Sequence, residues 1–440
     1  METNKIARLI LLPLLHVSTL GSPQSLSLDD AVEQYKTHNP EIHHIQKQLL
    51  ITEQKIAQSN KPYSPSPKPI EINVAPFEDK AVISTGIRAD LPTGGQLEAH
   101  YRSTLDDHDQ YSIKIHQPIT QNIAKIERAI QLIDQEIQQL QYRDNYQDKI
   151  LQFKKRYRQI VLQQRMVEDK KQQLDILTSH SKEQDVRYKY GEISKSELNI
   201  SQTALEEQRL NTLKDEQLLE MAMITLKVEM FININKIIVL DTDIHFTNNI
   251  PTPSETINQA VRLNTQSQIA KLQYQRAKYQ KKIFEKKQRP ALSLYGSIDQ
   301  DQKTSAGISL KFNLPTQTDQ FERNLQTLQY QQSAMQAYHA NNTLRTTIHQ
   351  TLINLQHQQA LISVAADHLK HQQQKYAADS IKFKYHHISA EEFQQSSQKV
   401  NSAYQQALGA QISYCNLYED LQKMTGQFEP LINTQDNTHA

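Results

Sequence analysis

Apolar residues recur along much of this chain in steps of three and four. At Ile123, Ile126, Ile130, Ile133, Ile137 and Leu140 they trace one narrow seam, which resumes after a shift at Tyr146, Ile150, Phe153, Tyr157 and Ile160. That spacing belongs to coiled-coil helices, where alternating steps of three and four return to one face. No Gly or Pro interrupts residues 121–190 or 316–408. A helix over 123–189 would be roughly 100 Å long at 1.5 Å per residue, more than a compact domain accommodates. Each rod must turn once. Gly191 breaks the first, and Ser194 with Glu197 three residues on forms an S-x-x-E capping box that opens a returning helix. Ser389 and Glu392 repeat that spacing in the second rod. The returning helices are expected to end near residues 231 and 425.

Between the helical stretches the period changes to two. Ile83, Thr85, Ile87, Ala89 and Leu91 alternate with Ser84, Arg88 and Asp90, and Tyr111, Ile113 and Ile115 alternate with Ser112, Lys114 and His116. Leu292, Leu294 and Ile298 share one parity, as do Ile308, Leu310, Phe312 and Leu314. Pro92-Thr93-Gly94-Gly95 reads as a turn. Strands are therefore expected at about 69–76, 81–91, 95–105 and 110–119, and again within about 290–315. Such alternation fits a membrane barrel with an apolar outside and a polar inside. It fits a half-exposed sheet on a soluble domain equally well.

The two patterns recur together. Val186-Arg-Tyr-Lys-Tyr-Gly-Glu-Ile-Ser-Lys-Ser-Glu-Leu198 matches Ile381-Lys-Phe-Lys-Tyr-His-His-Ile-Ser-Ala-Glu-Glu-Phe393 type for type at most positions. Upstream, Ile126-Glu127-Arg128 faces Phe321-Glu322-Arg323 at the same offset. The chain is thus a tandem duplication. Repeat 1 spans 23–245, with short helices near 28–37 and 40–60, strands at about 69–119 and a helical hairpin at about 121–232. Repeat 2 spans 246–427, with short helices near 253–262 and 265–287, strands at about 290–315 and a hairpin at about 317–426. Residues 428–440 read as a flexible C-terminal tail. The first repeat carries the surplus residues, and they fall in its strand region.

Composition narrows the class. Hydrophobic residues make up only 37% and Trp is absent, which is too little for a large globular core but enough for narrow helical seams. A net charge of +1 gives no electrostatic footprint for nucleic acid. Cys415 is the only cysteine, so there is no internal disulfide and no cysteine-built metal site. At the N-terminus, Lys5 and Arg8 precede the apolar run Leu9–Val17, and Ser18, Thr19, Gly21 and Ser22 follow. Basic, apolar, small is the order of a secretory signal peptide, expected over 1–22. No later stretch is apolar enough for a transmembrane helix, so a membrane could be entered only with strands. The second repeat offers two strands and the first two to four. So few cannot close a barrel, and open edges are not tolerated in lipid. A spanning chain must share its barrel with copies of itself.

These residues resemble the TolC family of outer-membrane efflux proteins over nearly all of the sequence after residue 22. Leu26-Ser-Leu-Asp-Asp-Ala-Val through His38-Asn39-Pro40-Glu41 resembles the family's opening, both hairpin turns resemble its Y-x-x-G-x-x-x-x-x-D-V-L pattern, and Leu417-Tyr418 to Thr425-Gly426 fits its close. The resemblance implies a fold that is mostly α with membrane β. Tandem-repeat long α-helical hairpins form an α-barrel tunnel, attached to a transmembrane β-barrel shared by a homotrimer. With four strands from each of three copies, the barrel has about twelve. It also implies a passive exit duct in outer-membrane lipid, not an enzyme. A periplasmic adaptor protein and an inner-membrane transporter dock on it for efflux or type I secretion. The hairpin turns become the periplasmic aperture, placing Tyr190, Gly191, Glu197, Tyr385, His386, Glu392 and Gln395 there. A ring of Glu392 would be an acidic constriction favouring cations. Gly191 is replaced by His386 in the second turn. Gln395 stands where some members have a second acid, and Phe383 and Ile388 where some have the Tyr and Arg that lock the closed entrance.

No catalytic constellation, cofactor motif or metal site is assigned. His386-His387 and the pair His368 and His371, one helical turn apart, have spacings a metal can use, but a solvated polar helix face explains them as well. Glu197 and Glu392 are equally read as caps alone. A different class stays open beside the duct: a secreted or periplasmic coiled-coil scaffold with a soluble β-sheet.

Overall fold

The computed structural model describes residues 24–59, 66–75, 80–91, 95–104, 108–119, 123–242, 250–299, 303–311, 317–385 and 387–428. The expected signal segment 1–22, the turn residues Pro92–Gly94, the strand positions Phe312 and Leu314, His386, and all but the first residue of the expected tail lie outside them. The order of elements is β1 (Gln24–Leu26), α1 (Leu28–His38), α2 (Pro40–Ser59), β2 (Ser66–Ala75), β3 (Lys80–Asp90), β4 (Gln96–Thr104), β5 (His108–Pro118), α3 (Ala124–Lys189) and α4 (Lys195–Glu229). Then come β6 (Ile238–Leu240), α5 (Pro253–Leu263), α6 (Thr265–Lys287), β7 (Ala291–Asp299), β8 (Thr304–Lys311), α7 (Gln317–Lys384) and α8 (Ala390–Met424). The strand-free remainder is almost entirely helical, and α3 and α7 run unbroken for 66 and 68 residues.

The helices begin and end where local chemistry says they should. Ser27 caps α1 by accepting from the Asp30 backbone N–H, and Asn264 caps α6 by accepting from Ser267 at 2.9 Å. Pro253 sits in the first turn of α5, where its missing N–H costs nothing. Among the described residues no helix is long and apolar enough to cross a membrane.

The chain falls into two compact units whose boundaries cut α3, α7 and α8. Unit 1 comprises residues 1–39, 153–245 and 372–405. Its core joins Ala31, Val32 and Tyr35 to Phe153, Tyr157, Ile160 and Leu226, all buried. Tyr35 stacks on Phe153 at 4.3 Å between centroids, so α1 is fixed to α3 by aromatic overlap. β1 and β6 form a parallel pair placing Leu26 beside Leu240, and the Tyr157 hydroxyl donates to the Leu26 carbonyl at 2.5 Å. This small sheet has no counterpart in the sequence reading, since three-residue strands carry no measurable period. Burial pushes the Tyr157 hydroxyl well above its ordinary pKa, so it stays a proton donor to that carbonyl.

Unit 2 comprises residues 40–152, 246–371 and 406–440 and holds the large sheet. Its helices pack in two clusters. Ile133, Ile137 and Leu140 of the expected seam bury against Ile269 of α6. Ile257 and Ala260 of α5 bury against Ile348, Leu352 and Leu355 of α7 and Tyr414 and Leu421 of α8. Lys423 reaches Asp144 at 3.0 Å and Asp148 at 2.5 Å, tying α8 to α3. Burial works against its charge, but the hydrogen bonds it donates to Asp148 and Asp144 outweigh that and hold the ammonium above its usual pKa.

The sheet has six antiparallel strands in the order β2-β3-β4-β5-β7-β8. The four strands read in the first repeat are present as β2 to β5, beside β7 and β8 of the second. The register runs Ala99 opposite Ile113 and Leu97 opposite Ile115, then Ile113 opposite Ile298, and Leu294 opposite Ile308. Because side chains alternate with a period of two, this register gathers the apolar parity of β4, β5, β7 and β8 on one face. Ser112, Lys114 and His116 fall on the other, beside Glu98, His100 and Ser297. β2 and β3 continue the ladder, with Ile72 opposite Ile83 and Ile87 opposite Ala99.

Candidate functional site: the helical hairpins and the sheet wall

The expected aperture residues occupy two turns of unit 1. In the first, α3 ends in a Schellman motif. The Glu192 N–H donates to the Arg187 carbonyl at 2.9 Å and the Gly191 N–H to the Tyr188 carbonyl at 2.9 Å. Gly191 adopts φ +75°, the left-handed conformation a Cβ disfavours, although nothing surrounds it. Arg187 pairs with Glu192 across the turn at 3.2 Å. Ser194 then starts α4: its hydroxyl accepts from the Glu197 N–H at 3.2 Å, and Glu197 Oε2 accepts from the Ser194 N–H at 2.7 Å. The capping box read from sequence is therefore present. Hydrogen bonds that the carboxylate accepts from the Ser194 backbone N–H and hydroxyl, with Arg187 nearby, hold the Glu197 carboxyl below its ordinary pKa and keep it ionised.

The second turn repeats the design. The His387 N–H donates to the Lys382 carbonyl at 2.9 Å, the same six-to-one bond as in the first turn. Ser389 and Glu392 form the reciprocal pair, at 2.9 Å from the Ser389 N–H to Glu392 Oε2 and 3.2 Å from the Glu392 N–H to Ser389 Oγ. Tyr190 and Tyr385 project from the two turns at 79% and 65% exposure, so neither fills space between helices of its own chain. Gln395 is exposed on α8, one turn from Glu392. His386 lies outside the described residues.

The structure also shows what sequence reasoning passed over. Phe393 of α8 is sandwiched by Phe383 at 4.7 Å and Tyr376 at 5.2 Å. Phe383 thus stacks inside its own hairpin instead of offering a polar group to a neighbour. Ser396 donates to Asp379 at 2.9 Å beneath that stack. In the first hairpin Gln202 reaches Asp185 at 3.2 Å. Asp185 and Asp379 thus each face a polar residue of the returning helix, Gln202 of α4 and Ser396 of α8. Further along, Asp169 of α3 is buried, 3.4 Å from Arg165 and accepting from Gln405 of α8 at 3.4 Å. Arg165 in turn lies over the Tyr404 ring at 4.6 Å. Burial raises the Asp169 carboxyl above its usual pKa despite Arg165 and Gln405, which pull it down.

The sheet is the second element of the site. Its apolar residues are not covered: Ile87, Tyr111, Ile113, Ile115, Ile298, Ile308 and Leu310 are all exposed, Ile308 at 68%. A soluble half-buried sheet hides this parity, and here it is the open one. On the opposite face Glu98 takes Arg88 at 3.8 Å and His100 at 3.3 Å, and Ser297 and Ser305 share a hydrogen bond of 2.7 Å. Tyr295 lies across Gly307 on the neighbouring strand, and a Cβ at Gly307 would meet its hydroxyl at 2.6 Å. No group of metal-ligating side chains occurs among the described residues.

No protein-family model and no curated protein matches the chain. Solved structures do. The Campylobacter jejuni CmeC outer membrane channel matches with TM-score 0.69 at 13% identity, covering 93% of this chain and 88% of that one. The outer membrane protein VceC of Vibrio cholerae matches with TM-score 0.64 at 11% identity, covering 91% and 96%. The Neisseria gonorrhoeae MtrE outer membrane channel, in its open state, matches with TM-score 0.59 at 12% identity, covering 91% and 89%. The chain therefore has the fold of outer-membrane channels, as its resemblance to the TolC family implied.

Proposed function

We propose that this chain is the outer-membrane exit duct of a tripartite efflux or type I secretion system: a homotrimer and a passive conduit. The observation that carries this is the sheet. Among the described residues it presents an uncovered apolar face, a polar reverse and two unpaired edges, and no helix there spans a membrane. Lipid satisfies the apolar face, and copies of the chain satisfy the edges. The polar reverse then lines water. The matched folds, each of an outer-membrane channel or protein, support the same reading.

In this reading the helical hairpins extend into the periplasm as the tunnel and their turns form its inner aperture. Glu197 and Glu392 serve first as caps, and one carboxylate oxygen of each is held by the backbone. Repeated by three-fold symmetry, their charges make an acidic entrance. A periplasmic adaptor and an energised inner-membrane transporter dock on the outside of the hairpins. The chain itself catalyses nothing: transport needs only an open, lined path. The coiled-coil scaffold with a soluble sheet is disfavoured because it leaves the apolar face in water.

The test is fractionation followed by electrophysiology. The expected result is a heat-sensitive trimer in the outer-membrane fraction that gives discrete conductance steps in a planar bilayer. Recovery of a soluble, non-conducting monomer from the periplasm overturns the proposal.

A further inference from the structure

The six strands run alternately, each antiparallel to its neighbour through all five pairings from β2 to β8. The two edge strands therefore point in opposite directions. Among the described residues both are unpaired on their outer sides. An edge of this kind accepts another β8 or β2 in antiparallel register without any change of strand direction, and rotation about one axis repeats the contact head to tail.

We propose that the β2 edge of each copy pairs with the β8 edge of the next, so that all six strands enter the membrane wall and three copies close an eighteen-stranded barrel. The inference rests on the trimeric duct proposed above. It departs from the wall of about twelve strands that four per copy would give. Three features support the larger count. One six-stranded sheet is below the roughly eight strands that the smallest membrane barrels need, so closure requires copies. The β2–β3 hairpin is not a separate flap: β3 pairs with β4 over nine consecutive positions, from Val82 opposite Thr104 to Asp90 opposite Gln96. And β2 and β3, of 10 and 11 residues, have the length of the other wall strands, with Ile70, Ile72 and Val74 alternating with Glu71 and Asn73. The one irregularity, a register shift between Lys68 and Glu71, is a bulge at the start of the strand, where Pro67 and Pro69 and their missing N–H groups are tolerated.

A wall of eighteen strands would be about 1.5 times as wide as one of twelve, since barrel diameter rises roughly linearly with strand number. At that strand number the wall encloses an aqueous channel.

Disulfide trapping in the purified, membrane-inserted protein tests the pairing. In a Cys415→Ala background, Asn73→Cys in β2 is combined in turn with Ser305→Cys, Ser309→Cys and Lys311→Cys in β8. Oxidation is expected to give dimers and trimers that survive denaturation and revert on reduction. The control set replaces β2 with β4, using His100→Cys with the same partners, and is expected to stay monomeric. Cross-links from β4 but none from β2, in protein that still conducts, would show a four-strand wall and overturn the inference while leaving the duct intact. Hydrogen exchange on the unaltered trimer gives an independent reading. Amides of residues 66–75 are expected to be as protected as those of β4 and β5. Fast exchange confined to 66–75 in a conducting trimer likewise overturns it. Loss of trimer and conductance in the unaltered protein would instead defeat the duct reading itself.

Discussion

Glu392 shows how one side chain serves a local and a distant purpose. Its Oε2 accepts from the Ser389 backbone, and its own N–H is capped in return, so its position on α8 is fixed by the helix start. A charge so fixed is suited to a symmetric ring. The change Glu392→Gln keeps an acceptor for the cap and removes the charge. It is expected to leave trimer yield unchanged and to reduce cation over anion preference, read as a shift of reversal potential in a salt gradient; unchanged selectivity would take Glu392 out of the aperture. Asp169 is the opposite case. A charged residue flanked by Glu168 and Lys170 reads as solvent-facing in the sequence, yet it is buried between α3 and α8. Its pKa is raised by burial, so the folded state holds the proton more tightly than the unfolded chain. The resulting stabilisation is therefore present at low pH and is lost as pH rises through the folded pKa. At neutral pH the ion is buried with incomplete hydrogen bonding at Oδ1. Asp169→Asn is expected to raise the melting temperature at pH 7 by about 1–3 °C, with the gain fading towards pH 4. A lower melting temperature at pH 7 would mean that the pairing with Arg165 outweighs the cost of burial.

The elements were legible in proportion to their length and the regularity of their chemistry. α3 and α7 follow from uninterrupted seams, and Ile133, Ile137 and Leu140 are buried as that seam requires. The turns follow from Gly191 and from two Ser-x-x-Glu pairs, because a cap is a local interaction that sequence spacing fully encodes. β1 and β6 were not legible: Gln24–Leu26 and Ile238–Leu240 are too short for a period and meet only through the tertiary fold. The aromatic stack of Phe393 between Phe383 and Tyr376 was missed for a related reason, since it depends on how the two helices of the hairpin pack, which repeat spacing does not encode. Alternation in the strands was legible, but its meaning was not, because lipid-facing and core-facing parities look alike. Substitution separates them. Ile308→Lys places a charge on the open apolar parity of β8, where an ion in lipid costs about 2–4 kcal/mol at mid-membrane and less near the interfaces. Ser309→Lys places the same charge on the polar parity and is expected to be nearly neutral. The measured quantity is the yield of heat-sensitive trimer from membranes. On a soluble sheet both changes would be tolerated, since Ile308 is already 68% exposed, and equal yields would count against a membrane wall.

At the scale of the molecule, the single chain is unfinished. Among the described residues its sheet has two open edges, and apolar residues are also exposed at Leu210, Leu213 and Met221 of α4 and at Ile353 and Val364 of α7. Apolar surface on this scale, beside unpaired strand edges, is what natural monomers avoid. If copies of the chain supply the missing partners, folding and assembly are one equilibrium, and stability depends on protein concentration. For a trimer separating into three unfolded chains, the balance contains two powers of concentration. Each tenfold dilution then weakens the assembly by about 2.8 kcal/mol per trimer, twice the 1.4 kcal/mol of a single factor of ten. Detergent-solubilised protein is accordingly expected to lose trimer and helical signal together on heating, at a midpoint that falls measurably over a hundredfold dilution. A midpoint independent of concentration, with a helical monomer persisting above it, would mean that each copy folds alone and that its open edges are satisfied within the chain.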